Sequence, residues 1–388
     1  MKIPFSYIIR NFVARKLTTS ITVAGIALVV FVFAAVLMLA YGVQKTMVST
    51  GSEQNVIVAR KAATGEITSI IDRETVNNIL TLPEVAKGAD SKPMATTDAV
   101  IIINLNKKSG GMSNITVRGV SPQAFVIRDQ VKLVEGRMFQ WGSRELVVGG
   151  AIRQRFQGAN IGDKVKFAGD QWTLVGVIDA GGSGFDSEMW GDIDQLLQAF
   201  NRTAFSTITL RLNNPSDLAQ IKEKFKSDPR LNQFEPESES RYYQRQSEGL
   251  TGFISGLGLM ITIIFSVGAM IGATITMYAA VANRTVEIGT LRALGFRRRS
   301  ILTAFLTESM LISIVGGVLG LILASFLQFI TISTMNFDSF SELAFSFALS
   351  WQIVLFTLLF SLIMGFVGGF LPSLRASRLQ IVNALRAA

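Results

Sequence analysis

Four stretches of this chain carry no charged side chain: Leu17–Gln44, Gly249–Asn283, Ser309–Phe337 and Leu343–Leu374. Nothing else in the sequence limits the fold as severely. Each run exceeds the roughly 20 apolar residues that take an α-helix across the hydrocarbon core of a bilayer. Backbone groups there have no water to bond, and a helix satisfies them within one segment. The runs predict a membrane protein with four transmembrane α-helices, placed at 17–44, 249–283, 301–335 and 351–374. The first run is too long for a signal peptide and poor in small-residue cleavage sites, so it reads as an uncleaved anchor.

The charges support this and give the spans a direction. Charged residues make up 17% of the 388 residues, against about a quarter in ordinary soluble domains. The formal net charge of +9 is confined to a few places. Residues 45–248 hold 25 basic and 24 acidic side chains, nearly neutral. The other 12 basic residues form three clusters. These are Lys2, Arg10, Arg15 and Lys16; Arg284, Arg292 and Arg297–Arg299; and Arg375, Arg378 and Arg386. Every cluster abuts an apolar run, as the positive-inside rule requires. One topology satisfies all three. Residues 1–16, 284–300 and 375–388 are expected in the cytoplasm. Residues 45–248 and a short loop, 336–350, are expected outside. Basic residues at membrane flanks are not a nucleic-acid footprint, so membrane lipids, and no nucleic acid, are the expected contacts.

The chain has no His and no Cys. That excludes zinc sites of the usual kind, Ser-His-Asp and Cys-His hydrolases and His-ligated haem. No catalytic residue and no metal ligand is assigned, although an Asp- or Ser/Lys-based site stays open. The redox compartment also stays open, since nothing depends on disulfides.

Phe5, Ile8, Ile9, Phe12 and Val13 recur at helical spacing after Pro4, with Arg10, Arg15 and Lys16 off the stripe. Residues 1–16 therefore read as an amphipathic helix in the inner membrane interface. Residues 45–248 are long enough for their own core. Short strands are predicted at Val56–Ala59, Val100–Ile103, Ile115–Val117, Leu146–Val148, Val165–Phe167, Trp172–Val177 and Thr207–Leu212. Helices are predicted at Thr75–Leu80, Asp192–Phe200 and Ser216–Lys226. The mixed order implies a large α+β domain between spans one and two, in two lobes. Gly181-Gly182-Ser183-Gly184 reads as a flexible loop, and no Lys-Ser/Thr follows to make it a phosphate loop. Tyr242, Tyr243 and Gln246 lead into span two without a breaker, so that helix is expected to begin early.

Asn283–Ser300 mixes apolar Val286, Ile288, Leu291 and Leu294 with Arg284, Glu287 and Arg292. A short helix here would lie at the membrane surface, with Gly295 ending it in the left-handed conformation. Charge alone leaves open a basic stop-transfer loop or a docking element for a cytoplasmic partner. Glu308 lies inside an apolar run, where ionisable residues are costly. Its expected partners are Arg292 or Arg297–Arg299; coupling to a proton or substrate and contact with the N-terminal helix are the alternatives. Gly268 and Gly272, Gly316 and Gly320, and Gly365 and Gly369 are pairs four residues apart, which let helices approach closely. They are assigned to helix packing, with sliding or hinging as the alternative.

EIGTLRALG, RRRSI and LTESMLISIVGGVLG, within Arg284–Gly320, resemble the permease signature of the MacB/FtsX family of ABC transporters, also called type VII or mechanotransmission transporters. LPSLRASRLQIVNALR at Leu371–Arg386 is similar to the family's ending, and Arg10–Leu28 to its opening. VEGRMFQWGSRELVVGG and WTLVGVID resemble its extracytoplasmic core domain. The resemblance spans essentially the whole chain. It implies a bacterial inner-membrane permease with a MacB-like core domain, a second permease copy or paralogue, and a cytoplasmic ABC ATPase. It also implies that 284–300 holds the coupling helix that docks on that ATPase, a role carried here by Arg284, Glu287, Ile288, Gly289, Arg292, Ala293, Leu294 and Gly295. The chain contains no G-x-x-x-x-G-K-[ST] motif, so a separate subunit is expected to bind ATP and Mg²⁺. This chain itself is expected to need no cofactor and to be no enzyme. The implied function is ATP-driven efflux with a periplasmic adaptor (a membrane-fusion protein), or lipoprotein release to a carrier. The alternative is an FtsX-like regulator of a cell-wall hydrolase.

Overall fold

The computed structural model describes residues 16–88, 91–336 and 339–381. The predicted amphipathic helix ahead of Lys16 and the tail beyond residue 381 lie outside the described residues. In chain order the elements are α1 (Lys16–Val48), β1 (Asn55–Arg60), α2 (Arg73–Leu80), β2 (Ala95–Asn106), β3 (Met112–Val120), α3 (Ala124–Ile127), β4 (Lys132–Gly136), β5 (Glu145–Gly149), α4 (Gly150–Arg155), β6 (Lys164–Phe167), β7 (Asp170–Asp179), β8 (Glu188–Asp192), α5 (Ile193–Ala199), β9 (Thr207–Arg211), α6 (Leu218–Ser227), β10 (Phe234–Ser238), α7 (Glu239–Ala282), α8 (Thr285–Ala293), α9 (Arg298–Ser325), β11 (Thr331–Met335), β12 (Glu342–Ser346) and α10 (Trp351–Arg378).

The chain divides into two compact units. One holds Gly42–Gly252 with Thr331–Ser346; the other holds the remaining parts of α1 and α7 together with α8, α9 and α10. Among the described residues, α1, α7, α9 and α10 are the four helices long and apolar enough to cross a membrane.

The first unit is built on a ten-stranded sheet in the order β10-β1-β9-β2-β3-β8-β5-β7-β4, with β6 beside β7. Neighbours are antiparallel except for β3 with β8 and β5 with β7. The β2–β3 hairpin turns on Gly110 and Gly111, both at positive φ, which glycine adopts without Cβ strain. Two apolar cores line this single sheet. Val58, Ile79, Ile208, Phe225 and Phe234 belong to one. Ile115, Leu146, Trp172, Leu174 and Met189 belong to the other. Short α5 joins them, giving Ile193 and Leu197 to the first and Leu196 to the second. The two expected lobes are therefore two cores on one continuous sheet.

Every predicted strand overlaps an observed one, and five more strands are present. β8 reads EMWGD, too short and acidic for a strand pattern, yet all five residues are buried. β10 contains Pro236 and forms an edge strand, where a missing N–H is tolerated. The third span is shorter than 301–335. α9 ends at Ser325 and a 3₁₀ turn at Phe329, because Thr331–Met335 forms β11. β11 pairs with β12 as a hairpin, Thr331 opposite Ser346 and Met335 opposite Glu342. The expected loop 336–350 is thus largely a hairpin of the sheet unit, although Asp338 lies outside the described residues. Asn114 Nδ2 donates to Phe340 O at 2.8 Å, and Ala344 N to Ser187 Oγ at 2.9 Å. Glu342 is held by Lys107 at 2.6 Å, by Arg155 and by Ser333.

The Gly181–Gly184 segment is an ordered turn, not a flexible loop. Gly181 and Gly182 take positive φ. Asp186 accepts from Ala180 N and Gly182 N, each at 2.7 Å. Ser183 is buried, and Gly184 N donates to Thr50 Oγ1 at 2.7 Å. The early start of span two is also present, since α7 is helical from Glu239.

Candidate functional site

Helix α8 is the short element between the second and third apolar helices. Arg284 breaks from α7 at φ −117°, ψ 17°, and serves as the N-cap position. At the other end Gly295 stands at φ +91°. Gly295 N donates to Arg292 O at 3.1 Å and Phe296 N to Leu291 O at 3.2 Å. Those are the two bonds of a Schellman cap, which satisfies carbonyls the helix end would leave open.

The eight residues carried over from the family pattern fall on two faces. Arg284, Ile288 and Gly289 are buried. Ile288 packs with Met277, Val281, Ile301, Phe305 and Ala376, so helices α7, α9 and α10 all meet α8 there. Glu287, Leu291 and Arg292 are half-buried. Ala293, Leu294 and Gly295 are exposed, as are Val286, Thr290 and Arg297–Arg299. The inner face is thus an anchor, and the outer face, with Leu294 66% exposed, is open.

The anchor is ionic as well as apolar. Arg284 Nε meets Glu287 Oε2 at 2.9 Å, and Arg284 Nη1 meets Glu308 Oε2 at 2.9 Å. Its guanidinium also lies 4.7 Å from the centre of the Phe305 ring. Such a contact adds cation–π attraction where charges are dehydrated. Arg292 and Arg297–Arg299 are the expected partners of Glu308, whereas among the described residues it is the guanidinium of Arg284 that bonds it. The turn between α7 and α8 aims Arg284 at α9, and a 24-residue separation hides this from local spacing. One signal was present in the sequence. Arg284 is the first charge after one uncharged run, and Glu308 the last before another.

The paired glycines behave differently from one another. A Cβ on Gly316 would meet Ile26, and on Gly320 would come within 2.5 Å of Ala27 O; both contacts are to α1. On Gly365 and Gly369 it would meet Ser313 and Ser309 of α9. Ser309 Oγ donates to Gly365 O at 2.7 Å across that contact. Gly268 and Gly272 have nothing within 4 Å of a built Cβ. Among the described residues they therefore meet no packing partner, and they lie on an exposed face of α7.

A second constellation, in the sheet unit, escaped the sequence reading. Arg118 and Arg128, 1% and 0% exposed, are surrounded by carboxylates. Arg118 grips Glu66 through both terminal nitrogens at 2.7 and 2.8 Å. It also bonds Glu188 at 2.7 and 2.9 Å and Asp98 at 3.0 Å. Arg128 bonds Asp98 at 2.7 Å and Glu239 at 3.1 Å. Phe185 lies under both guanidiniums, at 5.2 and 5.1 Å. Tyr243 OH donates to Glu66 at 3.3 Å. Burial alone would raise the Glu66 carboxyl, but the charge and hydrogen bonds of Arg118 hold it below its usual range. Burial pushes the Tyr243 phenol well above its own. A cavity of about 40 Å³, room for water, adjoins Glu66, Glu188, Tyr243 and Ser341. These residues are scattered from 66 to 243, and no local pattern marks their meeting.

Comparison with known proteins agrees with this architecture. The family model of the MacB-like periplasmic core domain matches residues 19–228, and that of the FtsX-like permease C-terminal matches 259–381. The uncharacterized ABC transporter permease YknZ of Bacillus subtilis is 27% identical over 71% of this chain and 70% of that one. The macrolide export ATP-binding/permease protein MacB of Bdellovibrio bacteriovorus is 22% identical over 97% of this chain, which spans 60% of that protein. The crystal structure of the periplasmic region of MacB from Actinobacillus actinomycetemcomitans aligns with 51% of this chain and 94% of its own length, at 14% identity and a TM-score of 0.38. The sheet unit and four apolar helices are those of an ABC transporter permease. Within that class the chain belongs to the MacB/FtsX-type permeases, with a MacB-like core domain between its first and second apolar helices.

Proposed function

We propose that this chain is the membrane subunit of an ATP-driven machine whose ATPase, a separate chain that binds ATP and Mg²⁺, docks on the open face of α8. The observation that carries this is the two-faced build of α8. Its inner face is fixed by Ile288 and the Arg284–Glu308 pair, while Leu294, Gly295 and Arg297–Arg299 stand exposed beside it. A helix anchored on one side and bare on the other transfers a push on the bare side to whatever it is anchored to. ATP-driven closure of the partner would tilt α8, displace α7 and shift the sheet unit. The proposed setting is the bacterial inner membrane, with both termini and α8 in the cytoplasm and the sheet unit outside. The proposed outcome is export or release of a substrate at the outer side, with an adaptor or a lipoprotein carrier as partner. The open face at Gly268 and Gly272 on α7 supports a second permease copy there, since small residues let membrane helices approach closely.

The test is purification of the complex from native membrane, with mass spectrometry of what comes with it. An ABC ATPase together with an adaptor or lipoprotein carrier supports export or release. An ATPase together with a cell-wall hydrolase or its activator would instead make the chain a regulator. A carboxylate placed in a docked apolar face is desolvated without a partner, so Leu294→Asp should reduce ATPase retention several-fold while the chain still inserts. Unchanged retention in both Leu294→Asp and Arg298→Glu would remove α8 as the docking element.

A further inference from the structure

The four carboxylates of the buried cluster in the sheet unit, Glu66, Asp98, Glu188 and Glu239, face two guanidiniums, those of Arg118 and Arg128. Three of these acids lie before α7. Glu239 is different, because it is the first residue of α7. Its side chain is 0% exposed. Oε1 accepts from Arg128 Nε at 3.1 Å. Oε2 accepts from Ser52 N at 3.1 Å and Asn55 Nδ2 at 2.9 Å. Ser52 lies in the segment just after α1, Asn55 is the first residue of β1, and Arg128 just follows α3 of the sheet unit. One carboxylate therefore ties together the end of α1, the start of α7 and the sheet.

The backbones are in contact at the same place. A Cβ on Gly51 would lie 2.4 Å from the carbonyl carbon of Glu239 and 2.5 Å from Ser240 N. The chain leaving α1 is pressed against the first turn of α7, and only glycine allows that approach. Asn55 is fixed further by donating to Ile127 O at 3.3 Å and accepting from Arg211 Nε at 3.1 Å. Asp98 of β2 completes the attachment, since Arg128 and Arg118 both bond it. Both Arg128 and Arg118 also bond other strands or their neighbours: Thr209 of β9 at 3.1 Å, and Glu188 of β8 at 2.7 Å. A displacement of α1 or α7 at this point reaches the middle of the sheet through charged hydrogen bonds, which are shorter and stronger than neutral ones.

We propose that Glu239 is a positioning residue for energy transfer: the joint that makes the ends of α1 and α7 move the sheet unit as one body. This rests on the reading that the chain couples a partner ATPase to motion. A buried ionic group is weak evidence of stability by itself, so a buried charge spent on this junction points to positioning. The cluster also indicates which variant will fold. Its acids outnumber its guanidiniums, so Glu239→Gln removes surplus negative charge and keeps the shape, whereas removal of Arg128 would strand Asp98 and Glu239.

The experiment uses the full chain with its co-purified ATPase in lipid nanodiscs. The native lack of cysteine permits clean pairs of spin labels. One pair, Leu257→Cys with Leu355→Cys, follows α7 against α10. The other, Gln171→Cys with Leu355→Cys, follows the sheet unit against α10. In the otherwise native chain both distances should change on ATP binding. In Glu239→Gln the α7 change should persist while at least half of the sheet-unit change is lost. A purely structural role would alter both pairs together or neither. Full retention of the sheet-unit change in Glu239→Gln overturns the joint. If that variant fails to assemble, Asn55→Ala, which removes one donor, should show the same split in smaller measure, and its absence also overturns the proposal. No change on ATP binding in either pair of the otherwise native chain is a different failure: it overturns the coupling reading itself, and with it this role for Glu239.

Discussion

Arg118 shows how much of this protein depends on single side chains. Its guanidinium holds Glu66, Glu188 and Asp98 in a region where the arginine is 1% exposed. Breaking a buried ion pair by removing one partner typically costs about 3–5 kcal/mol, because the other charge is left uncompensated. Arg118→Met should therefore destabilise the sheet unit by at least that amount, measurable as a lowered unfolding midpoint by tryptophan fluorescence. Trp190 is a local reporter, since its Nε1 donates to Glu188 at 2.8 Å. The same cluster sets an acid limit. Glu66 titrates below its ordinary value of 4.5 when folded. Its contribution is present above about pH 4.5 and is lost as the pH falls through the folded value. Glu66→Gln should thus unfold more readily than the native chain at neutral pH. The difference between them should shrink on acidification below about pH 4.5; a constant difference would show that the carboxylate charge is not what matters. None of these pairings was legible beforehand. Arg118, Glu66 and Glu188 each look like ordinary strand or loop charges in sequence.

The elements were more legible where burial is periodic or one-sided. Apolar runs located all four long helices, and the glycine that closes α8 does so with both bonds of a Schellman cap. Prediction failed where an element's pattern is set by neighbours: β8 is acidic and β10 contains a proline, and both become strands because the sheet supplies their partners. Equally spaced glycines proved unequal for the same reason. Gly320 faces the backbone of α1, and Gly268 faces nothing among the described residues. Gly320→Ala should destabilise the helical unit by about 1–3 kcal/mol, the usual cost of overpacking, seen as a lower thermal midpoint in detergent. Gly268→Ala should leave that midpoint unchanged. If α7 meets a second copy, Gly268→Ala should instead reduce the dimer fraction measured by light scattering; an unaltered fraction would count against that face.

At the scale of the whole molecule, the proposed topology puts the sheet unit and α8 on opposite sides of the membrane. Gln171 is exposed on the β6–β7 hairpin and Arg298 at the start of α9. In a chain with no native cysteine, Gln171→Cys in intact spheroplasts should react with an impermeant maleimide and Arg298→Cys should not. Reaction of Arg298→Cys from outside would invert or dismantle the topology. The hairpin β11–β12 adds a further link, since it belongs to the sheet unit and not to a free loop. Two of the connections between the apolar helices, α1 to α7 and α9 to α10, thus enter the sheet unit, the second as its own two-stranded sheet.

The sequence by itself determined the number and approximate place of the apolar helices, the presence of an α+β unit between the first two, and the likeness to MacB/FtsX permeases. Those follow from runs of hydrophobicity, charge at their flanks and ordered motifs, all properties of neighbours along the chain. Only the tertiary structure decided that Arg284 and not Arg292 reaches Glu308, that Ser183 is buried in an ordered turn, and that Glu239 closes onto Arg128, Ser52 and Asn55. The pairings of Glu308 and of Glu239 join residues between 24 and 187 positions apart. At such separations an ionic or hydrogen-bonded partner is chosen by how whole elements pack, because a charge pairs with whatever opposite charge the fold brings to it before water can.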